Sequence, residues 1–328
     1  MTTLLDHLDS RTAPATAGAA TSPARRLRAT MAAARVSFTW LGTQKSLNPD
    51  QKARAAETFG AEGQYLSAGK KLIDTGHSAF RAVTAIRGKV DAYWKGLSLP
   101  YPEPGVRLIK HDAIETFAAQ MTDYRTELDD AVVNLDHHYG ELKGAARARL
   151  GSLFSPGDYP ETLVGLFGVD WSFPSVEPPD YLVQLSPGLY EAERARVAAR
   201  FDEAVAMAEA AFTDEFARLV AHLTERITGV GEEGQPKVFR DSAIENLASF
   251  FARFRELNVR SNDQLDALVA EAQRAVRGVG ARDLRESDGL RREVATQLGR
   301  VRTSLDAMLV DRPRRRIIRQ AAGPGGTP

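Results

Sequence analysis

The chain has 328 residues, of which 43% are apolar and 26% are charged. This composition is ordinary for a globular protein with a sizeable hydrophobic core and a charged surface. Its 43 basic and 43 acidic side chains balance, so the chain as a whole is not built to attract nucleic acid or an anionic membrane. It contains no cysteine, which excludes disulfides, thiolate metal sites and cysteine nucleophiles.

The first third of the chain predicts a disordered arm followed by a helical region. Residues 1–24 mix Thr, Ala, Ser and Pro without periodicity, as disordered segments do. Alternating apolar side chains around Val36–Leu41 predict a strand or a packed turn. Helical spacing then predicts a helix over residues 66–96, which the prolines after it end. We therefore assign residues 25–105 to an N-terminal helical region.

Two long helices are predicted in the middle of the chain. One covers residues 111–150. The other covers residues 189–230, where apolar side chains recur at steps of three and four with an eleven-residue period. Because the two segments have similar lengths, we expect them to pair as an antiparallel, coiled-coil-like hairpin over residues 106–234.

Residues 151–188 separate the two long helices and hold six prolines. We expect them to cap the tip of the hairpin, with a short helix over 161–167 and a small strand pair. The aromatic side chains here are candidates for partner binding, because aromatic anchors dominate interface energies. They are Phe167, Trp171 and Phe173.

The last part of the chain predicts a helical bundle over residues 235–311 and a basic disordered tail over 312–328. Capping signatures at Ser242 with Glu245, and at Ser261 with Gln264, start two helices. A final helix is expected over residues 288–310. The fold class is therefore all-α: an elongated helical bundle with a long hairpin and a small irregular, β-containing tip.

The ends of the chain are basic and its middle is acidic. Residues 1–54 carry a net charge of +5 and residues 274–328 carry +7, whereas residues 55–240 carry −9. The tail contributes five closely spaced arginines, which can neutralise phosphates or associate with the acidic middle. They are Arg312, Arg314, Arg315, Arg316 and Arg319.

Catalytic and cofactor motifs are not evident. The glycine spacing in Gly229–Gly234 matches the Gly-x-Gly-x-x-Gly motif of dinucleotide-binding folds. In those folds the motif follows a strand, whereas here it follows a predicted helix. We therefore interpret these glycines as the end of that helix. His137 and His138 lie within four residues of Glu141 and could share a helix face with it, but the Glu-x-x-His pair of di-iron bundles is absent. We expect no enzyme activity, cofactor or metal.

The chain resembles an uncharacterised bacterial and phage helical family, domain of unknown function 3150, over roughly residues 35–310. The resemblance rests on Phe80–Leu99 with the Pro-Tyr-Pro turn, on Leu150–Pro160 leading into Phe167–Phe173, and on the helices around Leu257–Val269. The resemblance implies an accessory protein of phages or mobile elements. Because some members are encoded near MoxR-type AAA+ ATPases and von Willebrand A-type proteins, it also implies a scaffold or adaptor role beside such an ATPase.

These features together predict a non-enzymatic scaffold or adaptor that binds a protein, with an AAA+ ATPase as a candidate partner and self-association as a further expectation. The alternative is a nucleic-acid-associated protein that uses the tail arginines. No stretch approaches 18 uncharged apolar residues, and no apolar signal core follows Met1. We therefore expect a cytoplasmic protein without a membrane partner.

Overall fold

The structure is a computed structural model that describes residues 22–228 and 241–310. The helices within these residues are α1 Pro23–Thr30, α2 Pro49–Glu57, α3 Ser78–Leu97, α4 Ile114–His137, α5 Tyr139–Leu150, α6 Tyr181–Leu185, α7 Pro187–Thr228, α8 Ser242–Leu257, α9 Asp263–Ala275, α10 Ala281–Glu286 and α11 Asp288–Val310. The strands are β1 Met31–Thr39, β2 Gln44–Ser46, β3 Gly69–Lys71, β4 Ser98–Pro100, β5 Val106–Lys110 and β6 Gly168–Ser172.

A four-stranded antiparallel sheet lies at the centre of the fold, in the order β4-β5-β1-β6. The first half of β1 pairs with β5, so that Met31 faces Lys110. Its second half pairs with β6, so that Thr39 faces Gly168. A separate two-stranded sheet joins β2 to β3.

The central sheet separates two hydrophobic cores. Successive side chains of a strand point to opposite faces, and here both faces are covered by helices. Ala33 and Leu108 belong to the first core, which α1, α7, α8, α9 and α11 complete. Ala34 and Ile109 belong to the second core, which contains α3, α4 and α5. The sheet is therefore the shared layer between two helical layers.

In the first core, α7 is the longest helix, and α9 reaches this core through α8 and α11. Helix α7 contacts α1, α8 and α11 as well as strand β4. Phenylalanine rings join α7 to α8. Phe212 meets Phe254, and Phe216 stacks on Phe250, each pair with ring centroids 5.1 Å apart. Because the residue number rises along α7 as it falls along α8, the two helices are antiparallel. At 1.5 Å per residue, the 42 residues of α7 reach about 63 Å.

In the second core, α3 and α4 pack against each other, and α4 also covers β6. The ring of Tyr93 stacks on that of Phe117 with centroids 6.0 Å apart. Helix α4 ends at His137 and α5 begins at Tyr139, so the predicted helix over 111–150 is interrupted at His138.

The prediction of an all-α fold was wrong, because the structure contains a four-stranded and a two-stranded sheet. The strand or packed turn predicted around Val36–Leu41 overlaps the second half of β1, whereas β2 to β5 were missed. The reasons are physical. Strand β1 contains three consecutive alanines after Met31, and alanine favours helices. The prolines interpreted as a helix stop lie at the end of β4 and between β4 and β5. Both faces of the sheet are covered, which weakens the alternation of apolar and polar residues that reveals a half-exposed strand.

The predicted hairpin between residues 111–150 and 189–230 was also wrong. Helix α4 has α3 as its helical neighbour, whereas α7 has α1, α8 and α11. The sheet explains this, since it places the two long helices in different cores. Residues 151–188 consequently do not cap a hairpin: their strand β6 joins the central sheet, and residues 161–167 form no helix.

Several individual helices were predicted correctly. The segment 189–230 corresponds to α7, and the segments 242–257 and 288–310 match α8 and α11. The N-cap of α9 was predicted one residue too early. The side chain of Asn262, rather than that of Ser261, accepts the hydrogen bond from the backbone N–H of Leu265.

Some sequence predictions lie outside the described residues. These concern most of the arm over 1–24, the glycine stop at Gly229–Gly234 and the arginine tail over 312–328. Within residues 22–228 and 241–310, no helix is both long and apolar enough to cross a membrane.

Candidate interaction surface

The three aromatic candidates of segment 151–188 lie on or beside strand β6. Phe167 is only 3% exposed, and its ring meets those of Trp40 and Phe80 at 5.0 Å and 6.3 Å between centroids. Its ring is part of the second core, so in this fold Phe167 does not present a contact surface.

Trp171 and Phe173 are more accessible, but both contact α4. The guanidinium carbon of Arg125 lies 4.9 Å from the ring centroid of the half-buried Trp171, in cation–π geometry. Phe173 is 41% exposed, and its ring lies 6.2 Å from that of Phe117. The structure therefore uses these rings mainly to fix β6 to α4.

The larger exposed apolar surface of the segment begins eight residues later. We call it the α6 patch, defined by the side chains Tyr181, Val183, Leu185 and Leu189. Tyr181 and Leu185 are 61% and 76% exposed, and Val183 and Leu189 are about half exposed. These four exposed apolar side chains all lie within residues 181–189. Exposed apolar patches mark interaction sites in folded proteins.

Prolines and one backbone turn shape the α6 patch. Pro178 and Pro179 precede α6, and Pro187 opens α7, so each helix begins where proline is tolerated. The N–H of Ser186 donates to the carbonyl of Leu182, and the N–H of Tyr190 donates to the carbonyl of Ser186. Only Ser186 separates α6 from α7, so the two helices are in contact where they meet.

The stretch that leads into α6 is anchored at two points. Val176 packs against the first core. The guanidinium group of Arg28 donates to both carboxylate oxygens of Glu177, with 2.7 Å between Nε and Oε1. This hydrogen bond to Glu177 raises the pKa of Arg28. The α6 patch therefore lies on a part of the chain that is fixed to α1.

A second exposed aromatic pair lies on the segment formed by β2, α2 and β3, residues 44–71. From here on, the arm means these residues and not residues 1–24. Phe59 is 78% exposed and Tyr65 is 83% exposed. The arm is fixed by the buried Lys70, whose Nζ lies 2.6 Å from both the carbonyl oxygen of Leu153 and Oδ2 of Asp158. Hydrogen bonds from Lys45 and Lys70 lower the pKa of Asp158.

Of the two histidines considered as metal ligands, His138 has structural contacts. His138 Nδ1 lies 3.7 Å from the carboxylate of Glu141, and the ring of His138 lies 5.3 Å from that of His77. His77 accepts the backbone N–H of Ala79 at the start of α3. Among the described residues, no three His, Asp or Glu side chains are grouped as a metal site would require.

Sequence reasoning missed the α6 patch because it weighed only Phe167, Trp171 and Phe173. The available signal was the apolar run Tyr181-Leu182-Val183 with Leu185, which lies between Pro179 and Pro187. A helix this short cannot bury all of its apolar side chains against the rest of the fold. The candidate nucleic-acid ligands Arg312, Arg314, Arg315, Arg316 and Arg319 lie outside the described residues.

Comparisons with family models, with curated proteins and with solved structures found no match to this chain.

Proposed function

We propose that this chain is a cytoplasmic, non-enzymatic scaffold or adaptor that binds a protein partner through the α6 patch. The observation that carries the proposal is the exposure of four large apolar side chains on a short anchored helix and the start of α7. Tyrosine, here Tyr181, is one of the residue types enriched among those that provide most of the binding energy at protein interfaces, and the surrounding aliphatic side chains add apolar area that binding would bury.

The framework behind the patch supports this proposal. The first turns of α7 contact α6, and the rest of α7 is covered by α1, α8 and α11. A partner bound at the patch would therefore be connected to the first core through one continuous helix. The resemblance to domain of unknown function 3150 suggests a phage or mobile-element assembly, with a MoxR-type AAA+ ATPase as the candidate partner.

The test is affinity capture from the native host with wild-type protein and with the double variant Tyr181→Ser/Leu185→Ser. Loss of two interface anchors costs about 2 kcal/mol or more, so we expect roughly 30-fold weaker partner binding. Both side chains are exposed, so the thermal unfolding of the variant should match that of the wild type.

The matched control is Phe59→Ser/Tyr65→Ser, which removes equally exposed apolar side chains from the arm. Capture should be unchanged in this control and should survive nuclease treatment. Equal capture by both double variants would contradict the α6 patch as the contact surface. Partners that vanish with nuclease would instead favour the alternative, a nucleic-acid-associated protein that uses the tail arginines.

A further inference from the structure

Strand β1 has an open edge along its second half. Pairing with β5 ends where Arg35 faces Val106, whereas residues 35–39 pair with β6 on the opposite side of β1. The chain before Val106 turns away, since the N–H of Val106 donates to the carbonyl of Glu103. Among the described residues, no strand continues β5 beside residues 36–39. In an antiparallel pair only alternate residues bond to the partner strand, so the others direct their N–H and C=O groups to the open side.

A cleft of about 540 Å³ lies beside this open edge. One wall is formed by Val36 and Phe38 of β1 and by Gly105, and the other wall is α3. The α3 residues that line the cleft are Thr84, Arg87, Gly88, Asp91 and Trp94. Its volume falls within the range of about 300–1,000 Å³ that ligand pockets occupy.

An open strand edge beside a cleft with apolar walls is suited to one kind of ligand, an extended peptide. Such a peptide adds a strand to the sheet: its backbone hydrogen bonds give affinity, and alternate side chains enter the neighbouring pockets and give specificity. Val36 and Phe38 lie on the face of β1 that belongs to the second core. The side chains that an added strand directs to this face would therefore enter the cleft.

The charges of the cleft favour an acidic peptide. Asp91 is already paired with Lys95, with 2.7 Å between Oδ2 and Nζ. The guanidinium carbon of Arg87 lies 5.0 Å and 4.9 Å from the ring centroids of Phe38 and Trp40, and Arg87 forms no ion pair with a carboxylate among the described residues. A carboxylate on the ligand would therefore supply the charge complementary to Arg87.

We propose that the cleft between β1 and α3 binds an extended acidic peptide of a partner protein as an added strand. The backbone of the peptide pairs with residues 36–39. An apolar side chain enters beside Phe38 and Trp94, and a carboxylate pairs with Arg87. This site is separate from the α6 patch, so it does not depend on the proposed function.

The test uses a displayed library of linear peptides of about eight residues, selected on the full wild-type chain. Selected peptides are synthesised, and fluorescence anisotropy compares their binding to the wild type, Gly88→Leu and Gly144→Leu. Both glycines are exposed on helices, and a Cβ added at either meets no atom within 4 Å, so both variants should fold. Leucine at position 88 occupies the cleft, so we expect at least about tenfold weaker binding, whereas Gly144→Leu should bind as the wild type does. Equal binding by both variants, or no selected peptide, would overturn the proposal.

Two further measurements test the strand pairing and the charge. When alternate backbone amides of a selected peptide are N-methylated, one of the two alternating sets should weaken binding at least about tenfold and the other should leave it nearly unchanged. Arg87→Gln should weaken binding about fivefold or more, whereas Arg81→Gln, which changes an exposed arginine of α3 outside the cleft, should have no effect. Equal effects of the two methylated sets would overturn the added strand. Selected peptides without acidic residues, or equal binding by the two arginine variants, would overturn the acidic ligand.

Discussion

At the residue scale, the ion pair between Lys70 and Asp158 is the main polar contact that joins the arm to the second core. Lys70 is almost fully buried, whereas Lys45, which also reaches Asp158 at 2.5 Å, keeps 56% of its side chain exposed. A buried charge that loses its partner is costly, while an exposed ion pair contributes little. The two lysines should therefore differ greatly in their effect on stability.

We expect Lys70→Ala to lower the free energy of unfolding by about 2–3 kcal/mol, because it removes the buried partner of Asp158 and the donor to the Leu153 carbonyl. The matched change Lys45→Ala should lower it by less than about 1 kcal/mol. Urea denaturation of both variants measures the difference. Equal losses would show that the burial of Lys70 has no energetic role.

Residue type alone did not reveal which aromatic side chains are exposed. Phe167 and Phe173 both lie in a proline-rich stretch, yet one belongs to the core and the other is partly exposed. Both positions share the alternation phase of the inward-facing Val169, so the difference arises at the two ends of β6. Phe167 precedes the strand and packs against Trp40 and Phe80, whereas Phe173 follows its last residue, Ser172. The pairing of β6 with β1 is a long-range contact that no local pattern in residues 151–188 encodes.

At the element scale, α7 and α8 are joined by phenylalanine rings, and the spacing of these residues did predict their helices. Phe212, Phe216 and Phe250 are buried, as the apolar period of α7 and the pattern of α8 require. What the period could not specify was the neighbour of each helix. An apolar stripe fits any apolar surface, so the choice between α4 and α8 as the neighbour of α7 depends on the sheet.

The variant Phe212→Asp should lose more than about 4 kcal/mol of stability, because it places a carboxylate among the rings of Phe250 and Phe254. Ala211→Asp is the matched control, since Ala211 is exposed on the same helix and should tolerate the charge. Thermal unfolding followed by circular dichroism compares them. Similar melting temperatures would contradict the placement of Phe212 in the first core.

At the scale of the whole molecule, one antiparallel sheet unites segments that are far apart in sequence. Strand β1 joins β5 and β6, and the two faces of the resulting sheet support two cores. The limits of α7, α8 and α11 could be predicted, because amphipathic periods are local. The predicted helix over 66–96 begins only at Ser78, and its first residues include strand β3. The fold class could not be predicted, because short strands of three to nine residues gain their stability from distant partners.

This architecture places the α6 patch where the chain crosses from the sheet to the first core. Strand β6 ends at Ser172, and α7 begins at Pro187. The connection between them is held by Phe173 and by the Arg28–Glu177 pair. The patch is therefore a surface on a fixed connection, which suits the scaffold or adaptor role proposed above.

The most direct test of this account is hydrogen–deuterium exchange of the full chain with and without its captured partner. Binding at the α6 patch predicts slower exchange over residues 178–192 and unchanged exchange over the arm, residues 44–71. Slower exchange confined to the arm, or to any region that leaves residues 178–192 unchanged, would contradict the α6 patch as the partner-binding surface.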